Sequence, residues 1–386
     1  MINRKNFMTL LVIVPLPMAA VAGKPQSVEL GGFDFTPTLK VSEFYDDNFR
    51  TLPDHEAAAW ITSVRPTFVL ETQTRTSGYQ LEYAVDSRTY QDHAEADHVD
   101  QSLIGRSVME FDSRNRLTGE VGYRRAEDTV QTAEPRENDK YTLKNGKLGY
   151  TYGARTAMNQ IEVSAEYEEL RYSNAGSLND DKEHDTRTYI GTWYHRLGGL
   201  TRALVELRHS DFDYVLSNSP RNSTGDAALL GITRDLTAKL SGGVRVGYER
   251  KNFDNSDVND YSSPTWEANV EYKPRTYSTF SIKASKAFEE GDDGANTVHD
   301  TSTRLGWRHT WTPWVATDVH YRYADLEYLG VGGREDKLND YGASVIYSPT
   351  RWAEVSLGYQ RWKNDSDLSD QTYTRNVYLL TVALSL

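Results

Sequence analysis

The sequence predicts an all-β fold: a transmembrane, antiparallel, up-and-down β-barrel of about 18 strands, with a range of roughly 16 to 18. Three observations predict it. Apolar and polar residues alternate with a period of two along most of the chain, giving each strand one oily and one wet face. Short turns and longer acidic loops alternate between those strands, as they do at the two rims of a membrane barrel. No run of about 18 or more apolar residues occurs beyond the N-terminus, so a helical membrane protein is excluded.

Composition agrees. The chain of 386 residues carries a formal charge of -13, a pI near 5.2 and a mean hydropathy of -0.66. An acidic chain without a basic cluster argues against nucleic acid as a partner. There is no Cys, which rules out disulfides and thiolate metal sites. Tyr is abundant (25, against 11 Phe) and there are 8 Trp. Low hydropathy with many Tyr and Trp suits a barrel, whose apolar residues occupy only every second strand position.

In chain order, residues 1–22 read as a cleaved signal peptide. Arg4 and Lys5 form the basic region, Phe7 to Val14 the apolar region, and Ala20-Val21-Ala22 the small-residue cleavage site. Pro15 and Pro17 interrupt the apolar run, which is too short to anchor the chain. Residues 23–33 read as a short periplasmic leader without clear periodicity, and residues 34–386 as a single barrel domain. The first strand is expected around Asp34 to Tyr45, followed by an acidic loop from Tyr45-Asp46-Asp47-Asn48 to about Ala57. Trp60 to Glu71 returns, Thr74-Arg75-Thr76-Ser77-Gly78 turns tightly, and Tyr79, Leu81, Tyr83 and Val85 mark the next strand.

The cycle then repeats in units of roughly 40 residues, two strands and two connections each. Short turns include Asp112-Ser113-Arg114-Asn115, Leu197-Gly198-Gly199-Leu200, Arg234-Asp235-Leu236-Thr237 and Thr312-Pro313. Long acidic connections include Glu127 to Asp139, Asn174 to Asp185, Gly330 to Asp340 and Asn364 to Asp370. An even strand number puts both ends of the barrel on the short-turn side, expected to be periplasmic. Apolar faces such as Leu117, Gly119, Val121, Tyr123 and Leu240, Gly242, Val244, Val246, Tyr248 are assigned to lipid. Trp311, Trp314 and Trp352 beside short turns, and Tyr near the long loops, match interfacial aromatic girdles. Pro66 and Pro264 fall within strand patterns, where proline marks a bulge or a strand end.

The opposite faces are assigned to the lumen. Candidate lumen-lining residues are Glu82 and Arg88; Glu120 and Arg124; Glu162 and Glu166; Arg208; Lys239, Arg245 and Glu249; Glu267; Arg304 and Arg308; Asp318 and Arg322. Asp86, Glu206, Glu271 and His320 share those faces. Mixed charge of this kind does not fit a packed core but suits a wet lumen. Two readings follow from the residues: a hydrophilic passage, or a lumen closed by its own salt bridges. The nine His residues are scattered without metal-ligand spacing, and no catalytic, cofactor-binding or metal motif is present, so no enzyme activity and no cofactor is expected.

Thr36-Pro37-Thr38-Leu39-Lys40-Val41 running into Tyr45-Asp46-Asp47-Asn48 resembles the start of the "putative β-barrel porin 2" family. Trp60, Pro66-Thr67-Phe68-Val69-Leu70, Tyr79-Gln80-Leu81-Glu82-Tyr83, Tyr90 and Asp97-His98 are similar to it as well. The resemblance implies a barrel in the outer membrane of a Gram-negative bacterium that exports an exopolysaccharide or capsular polysaccharide. Its implied partners are outer-membrane lipid and lipopolysaccharide, the polysaccharide in the lumen, and a periplasmic polysaccharide-export protein. The alternatives are a general or solute-specific diffusion porin, which an inward-folded constricting loop would favour, and a non-transporting structural surface barrel.

Overall fold

The computed structural model describes residues 27–132, 136–176, 178–234, 239–291, 294–330 and 333–385. The expected signal peptide, the residues of the 234–237 turn after Arg234 and the terminal Leu386 lie outside the described residues. Strand β1 (Val28–Leu30) is a three-residue flap, followed by β2 (Phe33–Asp46), β3 (Ala59–Gln73), β4 (Ser77–Tyr90), β5 (His98–Glu110) and β6 (Asn115–Asp128). The wall continues through β7 (Asp139–Tyr152), β8 (Asn159–Tyr172), β9 (His184–Gly198), β10 (Thr201–Tyr214), β11 (Ser223–Arg234) and β12 (Leu240–Phe253). It ends with β13 (Tyr261–Arg275), β14 (Ser278–Glu290), β15 (Thr297–Thr312), β16 (Val315–Leu329), β17 (Arg334–Thr350), β18 (Ala353–Ser366) and β19 (Tyr373–Ser385).

Every strand from β2 to β19 pairs antiparallel with its sequence neighbours, and β19 pairs with β2 from Val377↔Asp46 to Ser385↔Thr38. The result is a closed 18-stranded barrel with no free edge. Its strands run from 12 residues in β11 to 17 in β17. Since about 9–11 residues cross a bilayer at barrel tilt, the strands extend beyond the apolar layer.

Within the leader expected at residues 23–33, the described part carries a short strand. Leu30 pairs with Phe33 and Val28 with Phe35, so β1 folds back on β2. Gly31 and Gly32, with φ of 59° and 89°, form the two-residue turn, and positive φ at both central positions is what a right-twisting hairpin requires. The last long connection is also shorter than expected, because Asn364, Asp365 and Ser366 belong to β18.

Neither Pro66 nor Pro264 makes a bulge or a strand end. Pro66 pairs with Leu39 on one side, while the β3–β4 ladder skips from Val64↔Ser87 to Thr67↔Ala84 without a register change. Pro264 pairs with Tyr248, and the β13–β14 ladder starts only at Trp266↔Lys286. Each ring therefore sits where one of its two ladders is silent, which is where its missing N–H falls. The irregularities of register lie instead at the short-turn rim, at Thr201/Arg202, Tyr272/Arg275, Thr310/Thr312 and Tyr347/Thr350.

The expected lipid faces are exposed on the outer surface. Trp60, Tyr123, Tyr167, Tyr248, Tyr321 and Tyr378 form a ring toward the long loops, and Tyr152, Trp193, Tyr272, Trp311, Trp314 and Trp352 a second toward the short turns. Aliphatic side chains such as Val121, Leu148, Val163, Val246 and Leu305 fill the band between them. Two aromatic girdles around an apolar belt are the interfacial pattern of a membrane barrel.

Candidate solute passage and its inward-folded loop

On the inner face the charges assemble in groups along the wall. Arg106 of β5 reaches Glu82 at 3.5 Å on β4, Glu120 at 3.0 Å on β6 and the side-chain oxygen of Gln80 at 2.9 Å. Higher on β4, Arg88 donates to Asp86 (3.0 and 3.1 Å), whose other oxygen accepts from Ser63 at 2.6 Å. The guanidinium of Arg124 lies 5.8 Å from the ring centre of Tyr141. Lys147 pairs with Glu166 at 2.5 Å. Glu162 is half-buried between Thr151 and Thr192 of the adjoining strands.

The tightest group spans β10 to β13. Arg208 bridges Glu206 and Glu267 at 2.5 Å each, and Arg245 approaches the same two carboxylates at 3.6 and 3.2 Å. Glu206 is fully buried and Arg208 is 10 % exposed. Glu249 accepts the backbone N–H of Phe288 at 3.0 Å.

On β15 to β18 the groups rise as a ladder. Near the short turns Arg308 faces Asp318 at 4.0 Å. Above it, Asp340 collects Arg304 at 3.9 Å, His320 at 3.2 Å and the amide of Gln360 at 3.3 Å. Arg322 and Asp300 follow at 3.8 Å, and Arg334 and Asp336 at 3.1 Å. Arg304, Arg308 and Asp318 each remain more than 40 % exposed, open to the lumen.

Most of the candidates thus fall together in sets, while Arg124, Glu162 and Glu249 meet only neutral or backbone partners and Lys239 stands apart. Lys239 precedes β12 in a short turn, exposed at the rim rather than on a strand. Sequence reasoning missed Arg106, Lys147, Asp300 and Asp340. For Arg106 the phase is hidden by apolar pairs on β5, Leu103-Ile104 and Val108-Met109, which break the alternation from which faces are read. The ion pairs named here join strands at most three apart along the wall. They brace the wall and leave the two sides of the lumen unlinked.

The first long loop was expected to be an exposed acidic connection. Instead residues 47–58 turn inward. Phe49 is 2 % exposed, packed against Tyr90 and His93 with ring centres 5.2 and 4.9 Å away, beside Ile61 and Ala96. Asn48, wholly buried, accepts the N–H of Leu52 and donates to the carbonyls of Leu52 and Thr374. Arg50 pairs with Glu95 at 2.7 Å, and Gln131 from the β6–β7 connection donates to the carbonyl of Thr51 at 2.9 Å. Loop and seam are held by the same short run of sequence. Asp46 takes Arg375, and Asp47 takes both the backbone and side-chain N–H groups of Asn376, so Asp46-Asp47-Asn48 clasps β19 to β2 just where the loop departs.

Glu95 sits outside the strands, and its carboxyl is held below the ordinary value of 4.5, chiefly by its backbone N–H and then by the hydrogen bonds of Arg50 and His93. A carboxyl whose pKa is lowered in the docked state supports docking fully above its free value and loses that support as pH falls through the lowered one. Loop docking is therefore expected to keep this support above the ordinary Glu value and to weaken as pH falls below it. Protease accessibility of the loop on either side of that value checks this.

No curated protein matches the chain. Among solved structures, copper transporter OprC superposes with a TM-score of 0.50 at 10% identity, over 93% of this chain and 82% of that one. The outer membrane protein OpdK from Pseudomonas aeruginosa gives 0.48 at 11% identity, over 92% and 99%. The FrpB iron transporter from Neisseria meningitidis gives 0.47 at 11% identity over 85% of this chain, which spans 62% of the length of FrpB. At such identities the likeness is one of fold. The family is carried by the sequence itself: the model described as "Putative beta-barrel porin 2" matches residues 22–386, and the chain belongs to that family of porin-like outer-membrane barrels.

Proposed function

We propose that this barrel is a channel of the Gram-negative outer membrane through which an exopolysaccharide or capsular polysaccharide leaves the periplasm. The observation that carries the reading is the inward ladder on β15 to β18, from Arg308 and Asp318 through Asp340 and its three neighbours Arg304, His320 and Gln360 to Arg334 and Asp336. A hydroxyl-rich polymer touches successive levels at once and exchanges hydrogen bonds from one to the next. A small solute needs a single site. The resemblance carried by Tyr45-Asp46-Asp47-Asn48 and the segments after it points to the same cargo. In this reading the short-turn rim faces a periplasmic export protein, and the aromatic girdles sit in lipid and lipopolysaccharide.

The inward loop 47–58 favours a second reading, a solute-specific porin narrowed at its mouth. Deleting the gene and measuring polysaccharide outside the cell and in the periplasm separates the two. Export predicts loss of the extracellular polymer, with restoration by the intact gene. Unchanged extracellular polymer, together with slower uptake of a small solute, would establish the porin instead.

A further inference from the structure

Lys40 on β2 and Arg65 on β3 are direct cross-strand partners. Both stand on the inward phase of their strands, set by the buried Ser42 and Ser63 two residues away, yet both are exposed. Like charges placed opposite one another destabilise a sheet, so such a pair normally comes with a counter-charge. Asp86 lies across β4 from Arg65, but Ser63 holds one of its oxygens and Arg88 the other. Asp100, next along the row, accepts the N–H of Glu127 at 3.0 Å. On the other side Lys40 pairs with Ala383, and beyond it Glu354 accepts from Ser348 at 3.4 Å. Among the described residues no carboxylate comes within ion-pair distance of either cation.

The position adds to the argument. Lys40 is two inward steps, roughly 13 Å of strand, below Phe44, on which the cluster holding the inward loop packs. Two cations without an ion-pair contact among the described residues, a compact ammonium and a forked guanidinium, therefore face the lumen beneath the inward loop, Arg65 meeting Asp86 only as a more distant charge. We propose that Lys40 and Arg65 form an anion-binding subsite on the passage wall, which takes a carboxylate or phosphate substituent of the carbohydrate in transit. The subsite rests on the channel reading and makes that cargo an acidic one.

The test is calorimetric titration of the detergent-solubilised barrel with trigalacturonate, with glucose 6-phosphate and with neutral maltotriose. The wild-type protein should bind at least one anionic probe, and which one identifies the substituent. Lys40→Gln with Arg65→Gln should weaken that binding by about tenfold or more, as the loss of charged hydrogen bonds implies. Lys40→Arg with Arg65→Lys should restore it, and maltotriose should not distinguish the variants. The double Gln variant relieves a repulsion, so its thermal unfolding should come at an equal or higher temperature, which separates lost binding from misfolding. Failure of both anionic probes to bind, or equal binding by wild type and double Gln variant, overturns the subsite. Single-channel recording keeps the two readings apart. Charge-dependent binding without any current would end the passage reading and leave the subsite, and current with charge-independent binding would do the reverse.

Discussion

Arg208→Ala is expected to lower the stability of the folded barrel by about 3–5 kcal/mol, the cost of removing one partner from a buried ionic group. The reason is geometric. Arg208 is the short-range partner of both Glu206 and Glu267, while Arg245 approaches them at 3.6 and 3.2 Å and cannot replace two contacts of 2.5 Å. Glu206 has no exposed surface in the folded barrel, so its charge depends on protein partners rather than on water for compensation. Arg208→Lys should fall between, because a single ammonium cannot chelate Glu267 as the fork does through its two terminal nitrogens. Urea unfolding in lipid vesicles, followed by the retarded mobility of the folded barrel on cold gels, reads the difference. Arg308→Ala is the control. Its pair with Asp318 spans 4.0 Å between half-open side chains, and its loss should cost no more than about 1 kcal/mol.

Phe49→Ala should release the inward loop. Truncating a buried Phe costs about 3–5 kcal/mol, and here the cost falls on loop docking because the partners of Phe49, Tyr90 and His93, belong to the wall and the next connection. A loss near 3 kcal/mol shifts the docked-to-undocked ratio by roughly a hundredfold. The expected result is a larger single-channel conductance and new cleavage between residues 50 and 58, with the barrel still folded. Conductance identical to the wild type would mean that the loop does not narrow the path. Arg50→Ala should act in the same direction and more weakly, since it removes one ion pair whose carboxylate keeps 30 % of its surface in solvent.

The class of the fold and the approximate strand number were legible in the alternation of residues, which also assigned a face to each candidate side chain. This follows from the physics of a membrane strand. Lipid selects apolar residues at every second position, so the phase of Val244-Val246-Tyr248 places Arg245 and Glu249 on the other side without any knowledge of neighbours. Where the alternation lapsed, as at Leu103-Ile104 and Val108-Met109, Arg106 went unassigned.

Which charges meet, and where the first loop goes, depended on contacts between distant strands. Register between strands sets whether Arg208 reaches Glu267 three strands away, and whether Lys40 faces Arg65 rather than a carboxylate. The motif Tyr45-Asp46-Asp47-Asn48 shows the limit best. Its residues read as the start of a hydrated acidic loop, because isolated acids next to a turn prefer water. Closing the barrel brings Arg375, Asn376 and the carbonyl of Thr374 beside them, more than 300 residues along the chain. Partners that distant exist only once β19 has found β2, and they turn a solvated loop into one that folds inward.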